Sequence, residues 1–362
     1  MNLRDIPKLR LFSQKITYSD ITQPEDIVAH LGAVQSQDFS GAKFALGLRM
    51  KKSSEELIDE AFNAGRILRT HVLRPTWHFV HPSDIRFLEE LSKPQVMAMM
   101  KYYEKQLEID DTIYKKSYEV FEKVLQNNNF LTREQLGEEL EKNGIKAKGQ
   151  RLGHIVFYSE IGGLICSGPR IGKQFSYGLI DELAPKQKNI SREEALEKLL
   201  IRYFNSRGAA TLKDFAKWSG INLTEIKKHE ETLTKRFPKE VIEGQTYYLS
   251  PLSTNDPLPS KPFVLLLPNY DEYISSYADF SAIYQPDEKA KNMNKDKTPI
   301  FWNTLLIDGM VEGSWRREIK GKTIEMQIAP FRDLTRDEKD AIQEASDEYA
   351  DFFSNTITLI IK

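Results

Sequence analysis

A chain of 362 residues with 40% hydrophobic and 29% charged content is globular in composition and long enough for roughly two to four domains. Its single cysteine, Cys166, excludes an internal disulfide framework and a cysteine-based zinc site and fits a reducing cytosol. No apolar run approaches the roughly 20 residues that span a bilayer, and Met1 to Arg10 is mixed and polar, so a cytoplasmic protein without a membrane partner is expected. The net charge of −2 is unevenly placed. Eight acids against Arg336 and Lys339 make the stretch from Asp333 to Asp351 net −6, which leaves +4 for the remainder. Locally basic clusters are Arg66, Arg69 and Arg74; Lys142, Lys146, Lys148 and Arg151; and Arg316, Arg317, Lys320 and Lys322. Phosphate attraction acts over about a Debye length, so such clusters count for more than the sum.

In chain order, Ile6 to Ile16 is apolar at helical spacing. Pro24 to Val34 carries a first-turn proline and the stripe Ile27, Val28, Leu31 and Val34, which predicts a second helix. Ser40 is placed to cap a third helix from Ala42 to Met50, and Ser54 to Ala64 reads as a fourth. Arg66 to Val72 and Thr76 to Val80 then read as two strands around Leu73-Arg74-Pro75. Helices followed by a hairpin are the winged helix-turn-helix order.

The order recurs. Thr112 to Leu125 and a capping box Thr132-x-x-Gln135 predict helices. Gly149 to Glu160 is a candidate recognition helix before a hairpin of Leu164–Cys166 and Gln174–Leu179. A third round follows: a helix from Ser191-x-x-Glu194 to Asn205, another from Thr211 to the glycine stop Gly220, and a third from Leu223 to Phe237. Its hairpin is Glu240–Ile242 and Thr246–Leu249 with Gly244 at the turn. A linker from Pro251 to Pro262 leads to strands at Phe263–Leu267, Thr304–Ile307, Met310–Arg316 and Thr323–Ile328. An acidic helix from Arg336 to Phe352 and a last strand, Thr356–Ile361, complete the chain.

Gln35 and Gln37 flank Ser36 where the second helix runs out. On a helix they would point about 200° apart, whereas on an extended segment they share a face. In the first hairpin, a two-residue Arg74-Pro75 turn would set His71 opposite His78. Proline at the second central position suits neither primed turn, so the register stays open. His71, His78 and His81 lack a partner carboxylate or thiolate at ligand spacing, and no metal is expected. A wing carrying Arg69, His71, Arg74 and His78 suits entry into a minor groove; ordinary polar residues on a sheet surface are the alternative. Asp271 follows a buried strand and is either a catalytic acid or a helix cap. Trp315-Arg316-Arg317 suits base stacking and phosphate binding, or else a strand end packed on the core. Gly168 to Gln174 is one residue short of a P-loop, and no dinucleotide fingerprint, nucleophile elbow or His-Glu-x-x-His occurs.

Leu31-Gly32-Ala33-Val34-Gln35-Ser36-Gln37-Asp38, followed by Ala45-Leu46-Gly47-Leu48-Arg49, resembles the opening of the AlkZ/YcaQ-like DNA glycosylases, a family of tandem winged-helix proteins. Arg69-Thr70-His71-x-x-Arg74-Pro75-Thr76-Trp77-His78, Leu266 to Tyr273 and Gly313 to Arg317 extend the resemblance along nearly the whole chain. The resemblance implies removal of alkylated purines from DNA by a Gln-x-Gln or Gln-x-Asp motif whose middle residue is mostly apolar in the family; the two outer positions match here and Ser36 departs from that pattern. It implies catalytic Gln35 and Gln37, and DNA contacts from Arg49, Arg69, His71, Arg74, His78, Trp315, Arg316 and Arg317.

The expected fold is mainly α with β-hairpins: three tandem winged helix-turn-helix units plus a C-terminal α+β, barrel-like domain. The expected domains are 1–110, 111–188, 189–262 and 263–362. The expected function is a monofunctional glycosylase for cationic N7- or N3-alkylated purines in double-stranded DNA, including crosslinked ones, acting as a monomer without a cofactor. A winged-helix regulator without catalysis is the alternative. Regulators usually dimerise on paired half-sites, and the sequence shows no coiled coil for that.

Overall fold

Capping chemistry sets most of the element boundaries in the computed structural model, which describes residues 1–187, 190–251, 258, 262–285 and 303–362. Helices α1 (Ile6–Ser13) and α2 (Pro24–Leu31) lead through a two-residue extended stretch, β1 (Val34–Gln35), to α3 (Phe39–Gly47) and α4 (Glu55–Asn63). Hairpin β2 (Leu68–Val72) and β3 (Thr76–Val80) follows, then α5 (Ile85–Gln106), α6 (Asp111–Leu125), β4 (Leu131–Thr132), α7 (Arg133–Lys142) and α8 (Gly149–Ile161). A second hairpin, β5 (Ile165–Ile171) and β6 (Gln174–Leu179), precedes α9 (Ile180–Leu183), α10 (Arg192–Arg207), α11 (Leu212–Ser219), α12 (Leu223–Lys227) and α13 (Glu230–Arg236). After a third hairpin, β7 (Lys239–Ile242) and β8 (Gln245–Tyr248), come β9 (Val264–Leu267), α14 (Glu272–Ser275) and β10 (Asn303–Ile307). The described order closes with β11 (Met310–Lys320), β12 (Thr323–Pro330), α15 (Arg336–Phe352) and β13 (Thr356–Ile361). The linker expected over Pro251 to Pro262 lies largely outside the described residues.

Three local expectations need correction. Helix α2 stops at Leu31, three residues early, because Gly32 takes φ +80 and its N–H closes on the Val28 carbonyl. Helix α3 is capped by Asp38 rather than Ser40: the Asp38 carboxylate accepts from the Gly41 N–H at 3.0 Å. The stretch from Leu223 to Phe237 is two short helices, because the Lys228 and His229 amides bond three residues back and tighten the chain out of the α ladder.

Contacts group the chain into two compact units that are discontinuous in sequence: Met1–Ile58, Leu200–Trp218 and Asn222–Lys362 form the first, Asp59–Leu199 and Ser219–Ile221 the second. Both mix helix and sheet. In the first unit a five-stranded sheet, curled into a half-barrel, has the order β13-β12-β11-β10-β9. Its neighbours are antiparallel except β12 and β13, which are parallel. A parallel pair requires a crossover, and the acidic helix α15 supplies it, packing on β9 and β13. Leu265, Leu267, Leu306 and Val311 of the sheet share a core with Ile6, Leu9 and Leu11 of α1 and with Tyr273 and Ile274. The third hairpin turns at Glu243 and Gly244, both at positive φ, as a two-residue primed turn demands.

In the second unit the first two hairpins are not separate wings. Arg69 pairs with Ser167, so its strands run β3-β2-β5-β6-β4 in one sheet. Its core joins Phe121, Leu125, Leu136, Leu140, Ile155 and Ile165. Helix α5 is not among the predicted elements. Its 22 residues include Pro94, which has no N–H for the Glu90 carbonyl four residues back. That carbonyl and the Leu91 carbonyl instead accept from Nη1 of Arg192, each at 3.2 Å. Arg192→Ala is therefore expected to lower stability by about 1–2 kcal/mol, read as a shifted urea midpoint with an unchanged slope.

Candidate functional site

Gln35 and Gln37 lie on the connection between α2 and α3, in extended and bent backbone rather than helix. Gln35 is buried, with 8% of its surface exposed, and Gln37 is exposed. What fixes this connection lies beneath it. The Gln35 N–H donates to Oε1 of Glu272 at 2.9 Å. Oε2 of the same carboxylate accepts from Arg207 Nη2 at 2.7 Å, Ser276 Oγ at 2.6 Å and Trp218 Nε1 at 3.0 Å. Arg207 in turn donates to the Leu31 carbonyl at 2.6 Å and the Ala33 carbonyl at 3.1 Å. Burial alone would raise the Glu272 pKa, but the Arg207 charge and hydrogen bond, with those from Ser276 and Gln35, outweigh it and hold the value down to about 2.

A second buried pair stands beside the first. Arg49 grips Asp271 with both terminal nitrogens, at 2.9 and 2.8 Å, and also donates to the Ala45 carbonyl and Gln14 Oε1. Gln14 then donates to the Glu272 carbonyl and the Tyr277 hydroxyl. Asp271 is the cap of α14, accepting from the Tyr273 N–H at 2.7 Å. The acid that follows the buried strand is thus a cap and an ion-pair partner.

Several side chains expected to contact DNA lie in the interior. Arg49 is 1% exposed and committed to Asp271. Trp315 is buried and its indole N–H donates to the Leu267 carbonyl, so it packs on the core. In the first hairpin the ladder sets His71 opposite Trp77 and Thr70 opposite His78, because Leu73 takes φ +62 and the loop holds three residues. Arg69 and His71 therefore share one sheet face while the fully buried His78 lies on the other. Arg69, 4% exposed, is stacked between the Trp77 and Phe175 rings. His71 meets Glu160 at 2.8 Å. Burial, then the Arg69 charge, lowers the His71 pKa to about 3, and burial raises that of Glu160. With the imidazole neutral, the contact is a hydrogen bond rather than an ion pair. Arg74 is half-buried and Arg316 exposed, with Arg316 bonded to Gln327. Arg317 is half-buried and donates to Ser40 Oγ at 3.0 Å, which brings it beside the N-terminus of α3.

The second unit also holds a cleft of about 1020 Å³. Arg69, Arg133 and Lys148 line it, but so do Glu134, Glu138 and Glu141. Lys142 and Lys173 add to its basic side. Among the described residues no group of His, Cys, Asp and Glu has a metal-binding arrangement, and no helix is long and apolar enough to cross a membrane.

Residues 28–352 match the AlkZ-like DNA glycosylases, and the chain belongs to that family. It is 22% identical over 339 residues, 87% of either chain, to the interstrand DNA cross-link repair glycosylase of Streptomyces sahachiroi. The solved structure of the Streptomyces sahachiroi DNA glycosylase AlkZ superposes with a TM-score of 0.78 at 18% identity, covering 100% of each chain. The overall architecture is therefore shared. Membership makes the enzyme class a DNA glycosylase, a hydrolase of N-glycosyl bonds, and favours that reading over a non-catalytic regulator.

Two outcomes follow from the buried pairs. Arg49→Ala is expected to destabilise the protein by about 3–5 kcal/mol, because it strands Asp271 without its countercharge, and to leave the salt dependence of DNA binding unchanged. Glu272 has a folded pKa of about 2 against an ordinary 4.5. Its contribution to stability is complete above pH 4.5 and is lost as the pH falls through about 2. Replacing it with Gln should flatten the acid limb of the stability profile in that window, measured by urea unfolding at stepped pH.

Proposed function

We propose that this chain is a monofunctional DNA glycosylase that hydrolyses the N-glycosidic bond of purines bearing a cationic N7 or N3 alkyl group. The observation that carries the reading is the Gln35-Ser36-Gln37 connection. It presents one solvent-reachable amide at Gln37 and one buried amide at Gln35, on backbone tied to an ion pair.

The chemistry suits neutral amides. An alkylated purine is already a cation, so it departs with the electron pair of the glycosidic bond and needs no strong general acid. What remains is to stabilise the oxocarbenium-like sugar and to aim one water at C1′; that water adds its oxygen to carbon and releases a proton. Amide oxygens supply a dipole and an acceptor without an isolated charge to desolvate. Gln37 takes the water-positioning role, consistent with its exposure, and Gln35 supports the water and the sugar.

The relative named for interstrand cross-link repair supports extending the substrate to crosslinked purines. A crosslinked base cannot swing fully out, so the lesion is approached by partial exposure rather than in a deep pocket. The helix-hairpin order, repeated three times along the chain, supports reading those segments as variants of the winged helix, the first two with their hairpins joined in one sheet, that follow duplex DNA. Arg317, which reaches Ser40 of α3, and the exposed Arg316 on the other face of β11 are the candidate phosphate contacts.

Duplex DNA carrying N7-methylguanine, incubated with the protein and then treated with mild alkali, should break at the lesion. Gln37→Ala and Gln35→Ala are each expected to slow base release by about a hundredfold with little change in DNA affinity; activity untouched by both removes the assignment. Arg316→Ala should make the slope of log K against log salt shallower by about one unit, measured by fluorescence anisotropy across a salt series.

A further inference from the structure

We propose that Arg207 and Glu272 are positioning residues for the reaction: together they set the backbone from which the two glutamine side chains project. The proposal rests on the reading of Gln35 and Gln37 given above.

The argument begins with the donors of Arg207. A guanidinium has five N–H groups, and five bonds account for them. Nε donates to Ser276 Oγ at 2.8 Å. Nη1 donates to the Leu31 carbonyl and to Ser206 Oγ, and Nη2 to the Ala33 carbonyl and Glu272 Oε2. The Arg207 side chain is 0% and that of Glu272 1% exposed. Glu272 then extends the same hold one step along the chain through the Gln35 N–H. Residues 31, 33 and 35 are thus tied to one ion pair at alternate positions, from the end of α2 to the first glutamine.

Stability alone does not call for this arrangement. Apolar side chains of equal volume commonly replace a buried ion pair without loss, because desolvating two charges consumes most of their attraction. What an apolar pair cannot do is orient three peptide groups. Charge-assisted bonds are shorter and stiffer than neutral ones, and here they end on the peptide of Gln35 itself. The Gln35 Cα, and through Ser36 that of Gln37, inherits its position from them. A misplacement of about 1 Å at reacting groups can cost about a hundredfold in rate, which is the scale on which such bracing matters.

Glu272→Asp is the informative variant. It keeps the charge opposite Arg207 but withdraws the carboxylate by one methylene from the Gln35 N–H. The full-length protein is compared with Glu272→Asp, Ser276→Ala, Gln35→Ala and Gln37→Ala. The measurements are single-turnover release of N7-methylguanine, affinity for duplex DNA containing an abasic analogue, and hydrogen exchange at the Gln35 amide. Glu272→Asp should slow release by at least about tenfold, leave affinity within about twofold and speed exchange at Gln35. Ser276→Ala, which loosens both Arg207 and Glu272, should show a smaller change of the same kind.

Unchanged release in Glu272→Asp with a fast-exchanging Gln35 amide overturns the proposal, as does a Gln35 amide that stays protected. If Glu272→Asp fails to fold, unchanged release and exchange in Ser276→Ala overturns it instead. Full activity in both glutamine variants sinks the catalytic reading itself, whereas loss there with normal release in Glu272→Asp sinks only the positioning role.

Discussion

Removing a guanidinium and a carboxylate from water costs several kcal/mol per ion, and the cost is offset only when every proton and lone pair finds a partner. The Arg207–Glu272 pair meets that condition, and much of the first unit is arranged to let it do so. Helix α10 delivers Arg207, α11 delivers Trp218, and α14 delivers Glu272 and leads directly to Ser276. Backbone groups from the end of α2 complete the set. The neighbouring Arg49–Asp271 pair shares a strand end with it and reaches it through Gln14. Side chains separated by more than two hundred residues in sequence therefore form one polar layer. Removing a single member would strand charge among apolar neighbours.

A chain with several basic clusters invites the expectation that its arginines face a polyanion. Four of them do not. Arg10, Arg49, Arg69 and Arg207 are each at most 4% exposed, and their partners are carboxylates, carbonyls and rings. Arginine suits such places because its planar fork answers several acceptors at once and stacks on aromatic faces. A guanidinium buried in this way governs shape, and its removal is read in stability before it is read in binding.

Much of the architecture was legible in the residues. The Thr132-Gln135 capping box, the Glu243-Gly244 turn, the acidic helix from Arg336 to Phe352 and the final strand all stand where local chemistry puts them. Local chemistry does not reach where a distant partner decides. Pro94 reads as a helix breaker, yet α5 continues through it because Arg192, about a hundred residues on, satisfies the freed carbonyl. The register of the first hairpin depends on Leu73 adopting positive φ, which leucine rarely does. The motif glutamines were visible through resemblance, but their support was not. One signal was available: Arg207 continues the stripe of Leu200, Tyr203 and Phe204 on α10, so its position on the buried face could have been read from spacing. Its partner Glu272 was beyond reach, since no local pattern links residues that far apart.

The charge state of Glu272 also bears on what the proposed reaction would leave alone. An intact purine departs from its sugar readily only after accepting a proton. Both oxygens of the acid hydrogen-bonded to the motif are occupied, and its neighbours keep it ionised down to about pH 2. It has no hydrogen to lend, and an amide is no acid at all. In the proposed reaction neither the motif's amides nor Glu272 would protonate an intact purine, so the motif itself would favour bases that bring their own positive charge.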